Sequence, residues 1–283
     1  MIETRKNIVL NGRDKKPILT DVFYKNNNQP KSTVIFCHGY KGFKDWGAWD
    51  LVAQEFANHN IFFIKFNFSH NGGTIEQPID FPDLEAFGHN NYIKELDDLQ
   101  TVIDWIIAAE EFQSEINQSD ISLIGHSRGG GIVTLKASEE KRIRNIISWA
   151  GVSDYESRFP TGEILELWKK EGVAYVENGR TKQQMPHYFQ FYTNFMEHKD
   201  RLTINKACKK IMANHLIVHG STDEVVTLSE AESLHKWSEK SELYVIDSDH
   251  TFGAKHPWDV NYLPDSLDTI TRKTIEFITH GNS

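Results

Sequence analysis

Short runs of β-branched and aromatic residues alternate along the chain with longer segments in which apolar residues recur every three or four positions. This alternation is typical of crossover units, each of which lays one parallel strand beside another. Sheet strands are predicted at residues 32–37, 61–66, 120–124, 145–150, 215–219 and 242–246. Helices are predicted at residues 48–56, 92–107, 129–138, 228–237 and 267–278. The pattern therefore predicts an α/β fold with a mostly parallel central sheet flanked by helices.

Two further apolar segments, at residues 7–10 and 18–24, precede this alternation. They flank the dipeptide Asn11-Gly12, which is frequent in the tight turns of β-hairpins. A hairpin at the start of the chain would add an antiparallel edge to the otherwise parallel sheet.

The segment 154–206 interrupts the alternation, because it contains no clear strand and is dense in aromatic residues. A structureless loop of this length is uncommon inside a compact domain. We therefore predict a small helical insertion, which divides the chain into a core of residues 1–153 and 207–283 and a cap, or lid, of residues 154–206. Since the carboxyl ends of the strands in open α/β sheets bind ligands, we expect the cap to lie over them.

Charge and hydropathy limit the partners that the chain can have. The 283 residues carry a net charge of −9 with scattered basic residues, which argues against a nucleic-acid or anionic-membrane surface. No apolar run reaches the roughly 18 residues of a membrane span, and no secretory signal follows Met1. The two cysteines, Cys37 and Cys208, fit a reducing compartment. We expect a cytoplasmic protein, either a monomer or a homodimer.

The sequence Gly125-His126-Ser127-Arg128-Gly129 lies between an apolar run and a helical pattern. Strand, sharp turn and helix thus follow in the order that a nucleophile elbow requires. Glycine is needed on both sides of the serine because the backbone is strained and neighbouring elements approach closely. A glycine-rich helix start capped by a serine would look the same locally, but the strand before it favours Ser127 as a nucleophile.

A serine hydroxyl needs a base to activate it and an acid to orient that base. Asp223 follows the predicted strand 215–219, and His250 follows the predicted strand 242–246. Both therefore leave the carboxyl ends of strands, on the same side as Ser127, and the order serine, aspartate, histidine is one of the known triad orders. We predict His250 as the general base and Asp223 as its orienting acid. Asp154, after the strand 145–150, is a rival acid.

Acyl transfer also needs hydrogen-bond donors for the oxyanion of the transition state. The glycine-containing loop 38–42 follows a predicted strand, so the backbone N–H groups of Tyr40 and Arg128 are the predicted donors. His38, His126 and His219 are interpreted as scaffold residues. No histidine pair has the spacing of a metal site such as HExxH, so a zinc or other metal site is disfavoured.

Five motifs carry a family resemblance: HGYKG at 38–42, FNFSHNGG at 66–73, GHSRGG at 125–130, HGSTDEVV at 219–226 and DSDHTF at 247–252. From about residue 32 to its C-terminus the chain resembles the α/β-hydrolase superfamily. It is most similar to small bacterial esterases of the feruloyl-esterase and dienelactone-hydrolase-like groups, and it is related to the catalytic domains of prolyl-oligopeptidase-type peptidases. The resemblance implies the α/β-hydrolase fold, a Ser-His-Asp triad and no cofactor.

Three functions remain open. The first is a carboxylic ester hydrolase that forms an acyl-enzyme on a small-molecule acyl substrate. The second is a serine peptidase or aminopeptidase on short peptides, and the third is a ligand-binding protein that keeps the fold without catalysis. The side chains of Arg128 and Lys41 could attract an acidic substrate, but surface ion pairs are more usual for such residues. They are given no role in catalysis.

Overall fold

The computed structural model describes residues 1–280, apart from the side chains of Arg13 and His280. The strands are β1 Ile2–Asn11, β2 Pro17–Lys25, β3 Lys31–Cys37, β4 Phe62–Asn67, β5 Ile116–His126, β6 Ile143–Trp149, β7 Val173–Glu177, β8 Gln184–Tyr188, β9 Asn214–Gly220 and β10 Ser241–Ile246. The helices are α1 Trp49–Asn58, α2 Leu84–Gly88, α3 Tyr92–Ala108, α4 Arg128–Ala137, α5 Gly162–Glu171, α6 Gln190–Glu197, α7 Ile204–Cys208, α8 Leu228–Trp237 and α9 Asp265–His280.

Eight strands form one sheet in the order β1-β2-β4-β3-β5-β6-β9-β10. All neighbouring pairs from β4 to β10 in this order are parallel, whereas β2 runs antiparallel to both β1 and β4. The antiparallel edge expected from the opening hairpin is confirmed. The carboxyl ends of β3, β5, β6, β9 and β10 consequently lie along one edge of the sheet.

The central strands are buried on both faces, as helix-covered parallel strands must be. Along β3 the side chains alternate, because successive residues of a strand point to opposite faces. Ile35 and Cys37 pack into a core shared with α3 and α4. Val34 and Phe36 pack into a second core beneath α1 and α9. This two-sided burial fixes the register of the sheet and the positions of the loops at its edge.

The insertion predicted to be small and helical contains two short strands as well as helices. Helices α5 and α6 flank a separate two-stranded antiparallel sheet, in which β7 pairs with β8 and Tyr175 lies opposite Pro186. Gly172 ends α5 in the left-handed conformation, with φ of 74°, and turns the chain into β7. The sequence of β7, VAYVE, is rich in β-branched and aromatic residues, which favour a strand.

The helices and the two cysteines bear on the expected absence of a membrane span and on the expected reducing compartment. Among the residues that the structure describes, no helix combines the length and apolar character needed to cross a bilayer. Cys37 and Cys208 are both free and buried. Burial raises the pKa of the Cys37 thiol well above its usual range, so this thiol stays protonated at neutral pH.

Candidate active site

Ser127 occupies the sharp turn between β5 and α4, with φ of 56° and ψ of −119°. A non-glycine residue rarely adopts such a conformation, and it persists only where the surroundings enforce it. An added Cβ on Gly125 would lie 2.1 Å from the carbonyl oxygen of Gly129. One on Gly129 would lie 2.4 Å from the carbonyl oxygen of Cys37. The glycines on both sides of the serine are therefore required by close packing.

The structure brings the three predicted triad side chains together. His250 Nε2 lies 3.0 Å from Ser127 Oγ, and His250 Nδ1 lies 2.7 Å from Asp223 Oδ2. Gly220, at the end of β9, allows this approach, because a Cβ there would lie 2.3 Å from the carbonyl oxygen of Ser248 in the histidine loop. Both distances are within hydrogen-bonding range for a serine–base pair and a base–acid pair.

Asp223 is held as a charged group. Burial alone would raise its pKa, but hydrogen bonds from His250 and from the N–H groups of Val226 and Val225 outweigh burial and lower the pKa. Its Oδ1 accepts both backbone bonds, so Oδ2 remains for the histidine. The rival acid Asp154 is exposed and accepts a hydrogen bond from the Glu156 N–H at 2.8 Å, which is a local turn contact.

The two predicted oxyanion donors lie on elements that adjoin the serine. Gly39 approaches so closely that an added Cβ would lie 2.9 Å from Ser127 Cβ, and Tyr40 follows it in the chain. Arg128 is the first residue of α4, so its N–H has no acceptor within the helix. The arrangement can therefore direct backbone N–H groups toward a carbonyl oxygen bound at Ser127.

The three histidines interpreted as scaffold residues make structural hydrogen bonds. His126 donates from Nε2 to the carbonyl oxygen of His250 at 2.9 Å, and burial lowers the pKa of His126 to about 3. Burial likewise lowers the pKa of His38 to about 4, and its Nδ1 donates to the Gly39 carbonyl oxygen at 2.9 Å. His219 donates to the carbonyl oxygen of Val226 at 2.7 Å. His126 thus holds the backbone of the predicted base, which the sequence did not reveal.

A cavity of about 400 Å³ opens beside Ser127 beneath the insertion. Its walls come from the sheet edge and from the insertion, and they are mainly aromatic and aliphatic: Tyr40, Tyr92, Ser127, Arg128, Val152, Tyr155, Arg158, Phe159, Pro160, Trp168, Ala174, Val176, His187, Phe191, Val225 and Val226. A smaller cavity of about 130 Å³ lies on the side of His250 and Trp49. Ser127 therefore lines both cavities and lies between them.

Residues 70–256 match the prolyl oligopeptidase family, and this segment is well over half of the chain. The chain belongs to the prolyl oligopeptidase family. No curated protein matches its sequence significantly.

Solved structures similar to this prolyl oligopeptidase family member share its α/β-hydrolase fold. Est1E from Butyrivibrio proteoclasticus has a TM-score of 0.71 at 18% identity, with 98% of each chain covered. An esterase domain from Rhodothermus marinus has a TM-score of 0.64 at 15% identity, covering 98% of this chain and 97% of that one. The α/β hydrolase GrgF from a Penicillium species has a TM-score of 0.69 at 14% identity, with 98% of each chain covered.

The side chain of Arg128 corrects one expectation. In this prolyl oligopeptidase family member the Arg128 side chain is not part of a surface ion pair. It is only 15% exposed, and its Nη1 lies 3.3 Å from Oε1 of the buried Glu95. The guanidinium carbon is 4.5 Å from the ring centre of Tyr40 and 5.4 Å from those of Tyr92 and Phe191. Nothing local in the sequence places these rings together, because they come from three distant segments.

Asp21, Asp45 and Asp50 are the carboxylates among the described residues that lie close enough together to hold a cation. Lys65 already occupies the centre of this cluster, with Nζ 3.0 Å from Asp21, 2.6 Å from Asp45 and 2.7 Å from Asp50. Burial would lower the pKa of Lys65, but the three carboxylates outweigh burial and raise it. A lysine ammonium thus supplies the positive charge that a metal would bring.

Proposed function

We propose that this chain is a serine hydrolase that cleaves carboxylic esters of small acyl or aryl compounds. Ser127 is the nucleophile, His250 the general base, and Asp223 the acid that orients it. The observation that carries the proposal is the continuous hydrogen-bonded chain from Ser127 Oγ through His250 to Asp223, with separations of 3.0 Å and 2.7 Å.

The proposed reaction has two halves. Ser127 Oγ attacks the ester carbonyl carbon while its proton passes to His250 Nε2, and the charged Asp223 stabilises the resulting imidazolium. The N–H groups of Tyr40 and Arg128 donate to the oxyanion, an effect worth about 3–4 kcal/mol per donor in known cases. His250 returns its proton to the leaving alcohol as the carbon–oxygen bond breaks. Water, activated by His250, then releases the acyl group and regenerates the serine.

The cavities support a preference for esters with one bulky and one small part. Aromatic and aliphatic side chains dominate the walls of the larger cavity, which suits an aryl group, and the smaller cavity suits a short chain. Est1E, which shares the fold, has been crystallised with ferulic acid bound. We further propose that residues 154–206 form a cap over this substrate, because Phe159, Trp168 and His187 line the larger cavity.

Family membership favours a second candidate, a peptidase that acts on short peptides. The same triad can cleave amides, but an aminopeptidase must also bind a cationic N-terminus. Among the described residues that line the two cavities, none is an aspartate or a glutamate. An uncompensated ammonium group would be costly to bury there, so we favour esters.

Hydrolysis of p-nitrophenyl esters by the wild type, Ser127→Ala and Ser221→Ala tests the proposal. Ser221 is an exposed serine at the end of β9 and serves as the matched control. We expect Ser127→Ala to lose activity by about 1,000-fold or more, and Ser221→Ala to retain it. A fluorophosphonate probe should label the wild type but not Ser127→Ala.

Three other outcomes would contradict the proposal. Equal ester hydrolysis by wild type and Ser127→Ala would exclude this serine as nucleophile. Efficient cleavage of aminoacyl amides with no ester activity would favour the peptidase. Absence of both activities and of probe labelling would favour a ligand-binding protein.

The cellular location follows from the cysteines. Burial raises the pKa of Cys208 to about 11, and it also raises the pKa of Cys37. Both free thiols are therefore protonated and unreactive at neutral pH. Free, unpaired cysteines are usual in reducing compartments. On this basis we propose that the protein is cytoplasmic.

A further inference from the structure

The larger cavity contains a guanidinium that the proposed triad does not use. Of the five N–H groups of an arginine side chain, one on Arg128 donates to Glu95 Oε1 at 3.3 Å. No other residue in the described part of the chain accepts a hydrogen bond from it. Arg128 nevertheless lines the cavity directly beside the serine, where a bound molecule could reach the remaining donors. A largely buried cation with so few hydrogen bonds is costly unless a ligand completes its coordination.

The carboxylate that pairs with Arg128 has a second donor. Burial raises the pKa of Glu95, although Arg128 and a hydrogen bond from Asn90 Nδ2 to Oε1 at 2.7 Å oppose the shift. The second oxygen, Oε2, has no hydrogen-bond partner among the described residues. Arg128 therefore shares its single side-chain acceptor, Glu95 Oε1, with Asn90.

Among the described residues that line the cavity, none is an aspartate or a glutamate. A second arginine in this described lining, Arg158, is paired with Glu230 at 2.5 Å. Burial lowers the pKa of His187 to about 4, so this ring is neutral near pH 7. The cavity thus combines aromatic walls with one guanidinium that has a single, shared hydrogen-bond acceptor.

We propose that this cavity binds the aryl part of an ester that carries a carboxylate, and that Arg128 forms the charge-assisted hydrogen bonds to that carboxylate. Arginine is suited to this role because its planar fork matches a carboxylate and its faces stack on aromatic rings. The guanidinium carbon already lies 4.5–5.4 Å from the ring centres of Tyr40, Tyr92 and Phe191. The inference rests on the proposed ester hydrolysis and names its substrate class.

Two pairs of esters, each differing by a carboxylate, test the inference. The monomethyl ester of terephthalate is compared with methyl para-toluate, which places the charge on the acyl side. Para-acetoxybenzoate is compared with para-tolyl acetate, which places it on the alcohol side. We expect kcat/KM to favour the anionic ester in at least one pair by about tenfold or more.

Variants then assign this preference to one side chain. Arg128→Met keeps the length and the backbone N–H but removes the charge, and it should lower the anionic-to-neutral ratio by about tenfold or more. Arg128→Lys keeps the charge but loses the planar fork, and it should give an intermediate ratio. Arg201→Met is the matched control, because this arginine lines neither cavity and is paired with Glu139, and its ratio should stay within about twofold of the wild type.

A measurement on the wild type alone covers the possibility that Arg128→Met does not fold. Para-toluate should inhibit hydrolysis of a neutral ester competitively, with an inhibition constant about tenfold or more below that of para-toluamide. Equal inhibition by para-toluate and para-toluamide would overturn the inference. A preference for the neutral ester in both pairs, or an anionic-to-neutral ratio that Arg128→Met does not change, would also overturn it. If the inference fails in one of these ways but neutral esters are still hydrolysed in a Ser127-dependent manner, the proposed function remains intact. Loss of hydrolysis of every ester would instead count against the proposed function itself.

Discussion

The phenolic oxygen of Tyr40 lies 2.7 Å from His187 Nε2, which joins the insertion to the loop that carries a proposed oxyanion donor. Burial lowers the pKa of His187 to about 4, so the ring is neutral near pH 7 and shares one proton with the tyrosine hydroxyl in this hydrogen bond. The same tyrosine ring contacts the guanidinium of Arg128. Tyr40 therefore connects the insertion, the guanidinium of Arg128 and the backbone beside Ser127.

Tyr40→Phe removes this hydrogen bond and keeps the ring. We expect the free energy of unfolding to fall by about 1–2 kcal/mol, because Nε2 of His187 loses its partner in a largely enclosed site. Urea denaturation measures the change. Tyr188→Phe is the control, since that hydroxyl bonds the exposed Glu85 and its loss should cost about 0.5 kcal/mol or less. Equal losses in the two variants would show that the link from Tyr40 adds nothing special.

Asp223→Asn should impair catalysis without disturbing the fold. An amide can donate to the histidine and select the wrong tautomer, and in a known triad this change costs about 10⁴-fold in kcat. We expect a loss of the same order in steady-state ester hydrolysis. Asp154→Asn, which alters only an exposed turn, should stay within about twofold of the wild type. A larger effect at 154 than at 223 would reverse the assignment of the acid.

Lys65→Met should destabilise the fold, because it leaves Asp21, Asp45 and Asp50 without their central cation. Removing one partner from a buried ionic network typically costs about 3–5 kcal/mol. Chemical denaturation at neutral pH measures the loss. Lys6→Met removes a more exposed lysine that contacts Asp50 and should cost less than about 1 kcal/mol. Stability unchanged in Lys65→Met would mean that Lys44, which also pairs with Asp21 and Asp45, is sufficient to balance the cluster.

The fully buried His215 should make stability depend on pH. Burial lowers its pKa to about 3 from an ordinary value of 6.5, and it lies between the hydroxyls of Ser148 and Ser238. Above pH 6.5 both folded and unfolded states hold a neutral ring, so the full contribution to stability is present. As the pH falls toward 3, only the unfolded state gains the proton, and the native state loses stability.

His215→Asn should therefore flatten the dependence of the free energy of unfolding on pH. Between pH 6 and pH 4 we expect the slope to fall by about 1.4 kcal/mol per pH unit, the value for one proton. Denaturant titrations at several pH values give this slope. His89→Gln, which replaces an exposed ring, is the control for a histidine substitution at the surface, and its slope should change less than that of His215→Asn. An unaltered slope in His215→Asn would show that this histidine titrates alike in both states.

Local sequence patterns predicted the sheet and the elbow well, because both depend on short-range features. The apolar run of β3 and the glycines around Ser127 can each be recognised from a few consecutive residues. Strand β7 was missed because it is five residues long and half exposed, so burial does not mark it. The environment of Arg128 could not be predicted at all, since Tyr40, Tyr92 and Phe191 meet only in the tertiary structure.

Strands β6 and β9 pair directly, with Ile147 opposite Leu216, although the whole insertion lies between them in sequence. The chain therefore leaves the sheet at the end of β6 and returns to it at the neighbouring strand β9. The length and sequence of the insertion can change while the strand register, and with it the distances from Ser127 to Asp223 and His250, stays the same. The residues that select the substrate and those proposed to carry out the reaction can consequently evolve on separate parts of one polypeptide.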